Sequence, residues 1–387
     1  YMSQNYAPNR RRKKVRIKYK NVGIALAIVL LIVIIICVAC NANSDDADTP
    51  GTDGDPSVTT PAVTTPAVTT DPNATEPQTP EIETTSDPTK QSSYVFDFVD
   101  MTAADLGEGN LVLVNNNIEF LGSVSEDDLV VVREKKNQAY WVSDYSVMIK
   151  PVAMDALNSM LLDFYNATQN DSVMVRSGYR TIEYQQGLYD EELESTGAVS
   201  SSLVAKPGYS EHHTGLVVDF TTYDGESYED FDGTGDYEWI MDSCYKYGYI
   251  NRYPAGKEAL TFIDNEPWHF RYVGIPHAEI MKDYDFCLEE YISFIKNYTI
   301  DTGFLYKETS DGAQYLIYYT PLSSAERTAV YIPLMDDQST PYPYEISGNN
   351  VDGFIITVTL KEGTQTTAPV TGNSDNIQSS DQDNAQQ

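Results

Sequence analysis

The chain is short of several residue types that often carry chemistry. Its 387 residues include four cysteines, four histidines and three tryptophans. Four cysteines in a chain of this length exclude a disulfide-framework protein. Cys37 and Cys40 fall inside an apolar run, so their C-x-x-C spacing is read as coincidence rather than redox chemistry. Cys244 and Cys287 are left either as a disulfide or as buried thiols. Positive charge is scarce too, with 25 Lys and Arg against 58 Asp and Glu. Eight of those cations stand among the first 20 residues, which leaves the remainder at a net charge of about −41. Such a surface repels nucleic acid and anionic lipid and argues against binding either, while keeping the protein soluble.

What is present is unevenly distributed. The basic segment 1–22 runs into an almost unbroken apolar stretch, Ile24 to Cys40, that includes LLIVIII. A transmembrane helix is expected over 23–41, near the short end of the usual span. Flanking positive charge orients it with the N-terminus cytoplasmic and the bulk of the chain outside. A cleaved signal peptide is disfavoured because no A-x-A site follows. Acylation of Cys40 is the competing reading, with Cys37 standing where a Leu is usual. Both anchors put the protein at the outer face of the cell membrane. Residues 42–93 are Thr, Pro, Asp, Ser and Asn, with TTPAVTTPAVTTDP repeating itself. Such a segment cannot bury enough surface to fold, and its prolines favour extension, so a disordered stalk is expected.

Order is expected from Tyr94 onward. LVLVNNN (111–117) reads as a strand. Residues 152–165 carry apolar side chains at helical spacing after Pro151. A strand is expected over 171–180, a helix over 181–195 and a strand over 215–220. A further helix is expected over 236–247, with Asp236 as cap and Gly248 as terminator. These predict a compact α+β domain over 94–299. Alternating strand and turn signals over 300–361 predict a small all-β appendage, and 362–387 a polar, disordered tail.

Three of the four histidines, His212, His213 and His269, sit in PGYSEHHTGLVVDF and EPWHFRYVG. A lone histidine is ordinarily structural, but these have unusual neighbours. His212 is followed by Asp219, and His269 is preceded by Glu266. Two imidazoles and a carboxylate supply three zinc ligands with one position open, and leave Glu266 as a base. Residues seven apart point to opposite faces of a flat strand. His212 is therefore expected in a loop and Asp219 on the following strand, with Gly215 permitting the bend. Glu266 and His269, three apart, are expected to face one point across about one turn, Pro267 favouring a turn-like setting.

The segments SGYRTIEYQ (177–185), PGYSEHHTGLVVDF (207–220) and EPWHFRYVG (266–274) resemble the VanY-type D-alanyl-D-alanine carboxypeptidases. That zinc-peptidase superfamily also includes D-alanyl-D-alanine dipeptidases, phage endopeptidases and the Hedgehog domain. Ser210, His212, Gly215, Asp219, Glu266, Trp268 and His269 match the family pattern, and YGYINRYPAGK (247–257) and CLEEYI (287–292) look like its connecting segments. The resemblance covers roughly residues 110–295. It implies His212, Asp219 and His269 as zinc ligands, Glu266 as catalytic base and Arg180 as the cation that stabilises the transition state, an ion pair being the bland reading of Arg180. Ser210 is expected to contact substrate or orient a ligand. Gln185 is either a substrate contact or a solvated helix residue. His213 and His277 are expected to be structural, and Trp268 to pack beneath the site. Tyr209 and Val217 depart from the commoner residues and bear on substrate preference.

The function this implies is removal of the terminal D-Ala from peptidoglycan stem peptides. The rivals are an endopeptidase or dipeptidase of the same superfamily and a non-catalytic wall-binding protein. The tyrosines of the C-terminal region (Tyr315, Tyr318, Tyr319, Tyr331, Tyr342 and Tyr344) are either a glycan-binding face or, as is commoner, core and interface residues.

Overall fold

A computed structural model describes residues 94–364. The expected transmembrane helix, the stalk and residues 365–387 of the tail lie outside that range. No helix among the described residues is long and apolar enough to cross a membrane.

In chain order the strands are β1 (Phe96–Met101), β2 (Val130–Val131), β3 (Trp141–Val142), β4 (Met148–Ile149), β5 (Val173–Ser177), β6 (Val217–Tyr223), β7 (Tyr228–Asp230), β8 (Tyr249–Tyr253) and β9 (Glu266–Tyr272), then β10 (Leu305–Glu308), β11 (Gln314–Pro321), β12 (Thr328–Pro333), β13 (Tyr344–Gly348) and β14 (Gly353–Lys361). The principal helices are α1 (Pro151–Thr168), α2 (Ile182–Thr196), α3 (Glu238–Ser243), α4 (Ile275–Tyr284) and α5 (Leu288–Ile295). Helices and several sheets are mixed, as the α+β expectation requires.

The first layer pair is α1 against the sheet β3-β5-β6-β9-β8, with β7 beside β6. Pro151 starts α1 at a position where a missing N–H costs nothing. Met154, Leu157, Leu161 and Phe164 recur along one face and meet Val173, Val175, Val218 and Phe220 from the sheet. The helix α2 buries only Gln185, so its inner face serves a cavity rather than this core.

The C-terminal strands form the sheet β10-β11-β14-β13, and β1 pairs antiparallel with β12. Side chains alternate across a strand. On β11, Leu316 and Tyr318 join one core with Phe354 and Ile356 of β14, while Ile317 and Tyr319 join another with Ile355. The first core is closed by Val330 and Ile332 of β12, and the second by Leu288, Tyr291 and Ile292 of α5. The sheet is therefore a wall between two cores. Tyr318 and Tyr319 are buried in them, while Tyr331 and Tyr344 are exposed. The sequence predicts 94–299 and 300–361 as separate pieces; in the structure β1 of the first pairs with β12 of the second along its whole length.

Three local differences from expectation have physical causes. Residues 111–114 are buried but are not a strand. Their backbone groups bond instead to Arg252, Arg271, Asn349, Asn350 and Ser347. The helix expected over 236–247 is broken into a 3-10 turn, α3 and a second 3-10 turn. Thr234 rather than Asp236 precedes it, and Gly248 ends it with φ 78° as expected. Cys244 and Cys287 are buried free thiols, not a disulfide.

Candidate active site

The central strand β6 carries Asp219, and its register decides what stands beside it. Across β9 its partner is His269, and across β5 its partner is Ser177. The β5–β6 register shifts between Val175 and Ser177. Such an irregularity re-aims side chains.

His212 comes from the 3-10 turn Glu211–Thr214, which Ser210 caps by accepting from the His212 N–H. Gly215 ends the turn at φ 69°, which turns the chain into β6 as expected. The loop after β5 clamps this turn. The His212 Nδ1 lies 2.6 Å from the Gly178 carbonyl oxygen, and the Arg180 N–H donates to the His212 carbonyl. Gly178 is required there, because a Cβ would stand 2.4 Å from the Met148 oxygen. With Nδ1 held by a carbonyl, His212 presents Nε2 to Asp219, 3.2 Å from Oδ2.

Glu266 and His269 do not lie on a helical turn. Both are on β9, where residues three apart ordinarily face opposite ways. The β8–β9 pairing shifts between Asn251 and Tyr253, and the Asn251 amide donates to the carbonyls of Glu266, Pro267 and His269. This distortion brings the Glu266 Oε2 to 3.3 Å from the His269 Nδ1. The same nitrogen is 3.1 Å from the Asp219 Oδ1. One ligand atom each from His212, Asp219 and His269 lies within 4.8 Å of the others, and all three residues are buried.

The donor set fits a divalent cation of the zinc type. Asp219 Oδ1 is buried with no hydrogen-bond partner despite its proximity to His269. Three carboxylates, Asp219, Glu211 and Glu266, surround His269, and they hold its pKa well above the ordinary value although burial opposes this. A site that draws a proton onto a buried imidazole favours positive charge at that point. His212 is shifted the other way, down to about 4, by burial and then by the Arg180 guanidinium. Burial alone would raise Asp219, but His212 and Arg180 hold it well below the usual carboxylate range. For Glu266 burial prevails and the pKa is raised.

Arg180 is both an ion-pair partner and a cavity residue. Its Nε donates to the Ser177 Oγ at 2.9 Å and its NH2 to the Asp219 Oδ2 at 2.6 Å, while NH1 lies 3.5 Å from the Gln185 Oε1. Gln185 is buried, not solvated, and donates to the Ala205 carbonyl. Arg180, Gln185, Ser210, Glu266 and Trp268 line one cavity of about 590 Å³ with the His212–Asp219–His269 cluster. His213 is buried, with its two ring nitrogens on the Arg180 carbonyl and the Gly208 N–H. His277 lies outside that cavity, between Tyr291 and Thr357.

Sequence reasoning missed Glu211, Arg252, Arg271 and Tyr253. Glu211 is fully buried and bonded to both arginines, and the Tyr253 ring lies 4.7 Å from that of His269. The available signal was an acid inside the S-x-H motif and an Arg-Tyr pair inside 247–257.

The family model for VanY, D-alanyl-D-alanine carboxypeptidase, matches residues 147–275. A D-alanyl-D-alanine carboxypeptidase of Enterococcus faecium is 32% identical over 261 residues, covering 67% of this chain and 78% of that protein. The bifunctional D-Ala-D-Ala dipeptidase and D-Ala-D-Ala carboxypeptidase VanXYC of Enterococcus gallinarum is 37% identical over 123 residues, covering 30% of this chain and 65% of that protein. Among solved structures, the vancomycin resistance D,D-dipeptidase VanXYg, in complex with a D-Ala-D-Ala phosphinate analog, aligns with a TM-score of 0.59 at 32% identity, covering 68% of this chain and 99% of that one. The chain belongs to the VanY-type D-alanyl-D-alanine carboxypeptidase family. It is a hydrolytic peptidase.

Proposed function

We propose that this chain is a zinc-dependent D,D-carboxypeptidase that removes the terminal D-Ala from peptidoglycan stem peptides. The observation that carries the reading is the convergence of His212, Asp219 and His269 on one point, beside Glu266, on the wall of a cavity. His212, Asp219 and His269 hold the metal. Zinc, when bound, supplies the Lewis acidity that makes water a nucleophile near neutral pH.

Glu266 is the base. Its burial raises its pKa toward the range in which a carboxylate both accepts and returns a proton. It takes the proton of the attacking water and passes it to the leaving amine of D-Ala. Arg180 is anchored through Ser177 and Asp219, so its charge stands in place before the carbonyl oxygen becomes negative. Gln185 and Ser210 supply substrate contacts from the cavity wall. The apolar segment 23–41 anchors the chain in the cell membrane with its N-terminus cytoplasmic, so that the catalytic residues work at the outer face.

The test is to incubate the purified chain with a stem pentapeptide ending in D-Ala–D-Ala and follow the products by mass spectrometry, with and without a zinc chelator. Loss of one alanine, abolished by chelation and restored by zinc, is expected. Release of the dipeptide or an internal cut would change the specificity to that of a dipeptidase or endopeptidase. No cleavage by a folded, zinc-loaded sample would favour a wall-binding protein.

A further inference from the structure

Glu211 has no part in the chemistry above, yet few positions in the molecule are so heavily built. Its side chain is fully buried between Ser210 and His212. One oxygen, Oε1, accepts from the Arg252 Nε and the Arg271 NH1, each at 2.8 Å. Neither guanidinium is exposed at all. The other oxygen, Oε2, has no hydrogen-bond partner and stands 3.7 Å from the His269 Nε2, which has none either.

The two arginines are held from behind. Arg271 NH2 donates to the carbonyls of Asn110 and Val112. Arg252 forks onto both oxygens of Glu289 and reaches the Val114 carbonyl. Segment 110–114 is in turn tied to the C-terminal sheet. The Leu111 N–H donates to the Ser347 Oγ, the Leu113 N–H to the Asn349 carbonyl, and the Asn350 amide to the Leu113 carbonyl.

We infer that Glu211 is the positioning residue of His269, and that the C-terminal sheet holds it in place through segment 110–114 and the two arginines. This rests on the zinc reading of the site. A histidine that ligates a metal through one nitrogen is oriented by an acceptor on the other. For His212 that acceptor is the Gly178 carbonyl. For His269, whose Nδ1 faces Asp219 and Glu266, the group facing Nε2 is Glu211. A buried carboxylate needs compensating charge, and Arg252 and Arg271 provide it while leaving Oε2 free for the ring. The C-terminal strands would then complete the metal site, although none of them reaches the cavity.

The experiment measures the zinc affinity of the full chain by competition with a chromophoric chelator. Three forms are compared: wild type, Glu211→Gln, and the double variant Ser347→Ala/Asn350→Ala. The expected result is one tight site in wild type, weakened about 10- to 100-fold in Glu211→Gln and several-fold in the double variant. In histidine-labelled, zinc-loaded wild type, nitrogen NMR should find one histidine metallated on Nε2 and the other on Nδ1, the second with a far-downfield Nε2 proton. A folded Glu211→Gln protein that holds zinc as tightly as wild type overturns the inference. If Glu211→Gln does not fold, unchanged affinity in the double variant overturns it, as does Nε2 metallation of both histidines in wild type. Failure of the wild type itself to bind zinc would remove the zinc reading, and this inference with it.

Discussion

Glu266 and His212 stand within one cluster but fail differently when changed. Glu266→Gln keeps the shape and loses the proton acceptor. Turnover is expected to fall by about 100- to 10,000-fold with zinc retained, measured by product release beside metal content. His212→Ala is expected to lose the metal itself. Gly215→Ala tests geometry rather than chemistry. At φ 69° a Cβ would stand 2.8 Å from the Leu129 Cδ2, so about 1–3 kcal/mol of stability should be lost in thermal unfolding. These residues were legible in the sequence because their motif is local: seven positions separate His212 from Asp219 and three separate Glu266 from His269. Glu211 was not, because its charge partners lie 41 and 60 residues away. Its place inside the S-x-H motif is the one local signal, and it does not show that the side chain is buried and paired. Gln185 was ambiguous for a related reason. A polar residue on a polar helix reads as exposed until the cavity beside that helix is known.

At the scale of elements, helical spacing locates α1 and local composition locates α2, β5 and β6, while the segments that borrow their hydrogen bonds are misjudged. Residues 111–114 have a strand's composition, but their carbonyls are satisfied by arginine and asparagine side chains contributed from far along the chain. Pro267 makes the Glu266–His269 segment of β9 read as turn-like, and spacing cannot reveal the register shift that brings Glu266 to His269. The helix α4 yields a separate prediction. Its His277 is buried between Tyr291 of α5 and Thr357 of β14, and burial pushes its pKa down to about 3. Between that value and the ordinary 6.5 the unfolded chain binds a proton that the folded chain refuses. Stability should therefore fall as the pH drops through this window, by up to about 1.4 kcal/mol per pH unit. Replacing His277 with Gln should flatten that dependence in denaturant titrations at pH 4 to 6.

On the scale of the molecule, the strands beyond residue 300 share a buried core with α4, α5 and Ile250 of the catalytic sheet. Phe354, fully buried on β14, is far from the chemistry in sequence. Phe354→Ala should cost about 3–5 kcal/mol and lower one shared unfolding transition, seen by calorimetry, rather than split it in two. The composition of 300–361 disclosed a small β region, but not that both faces of its central strands are covered. Alternation within a strand tells inside from outside only when one side is wet.

The pairing of β1 with β12 also governs when the protein can become itself. Phe96 and its neighbours are made early and wait for a partner more than 200 residues later. Segment 110–114 waits about as long, for Ser347, Asn349 and Asn350. Every motif residue from Arg180 to His269 has left the ribosome before these anchors exist. Closure of so long a loop is slow and comes late. A chain still being synthesised therefore carries all the groups of the catalytic cluster before the hydrogen bonds that tie segment 110–114 to Ser347, Asn349 and Asn350 can form.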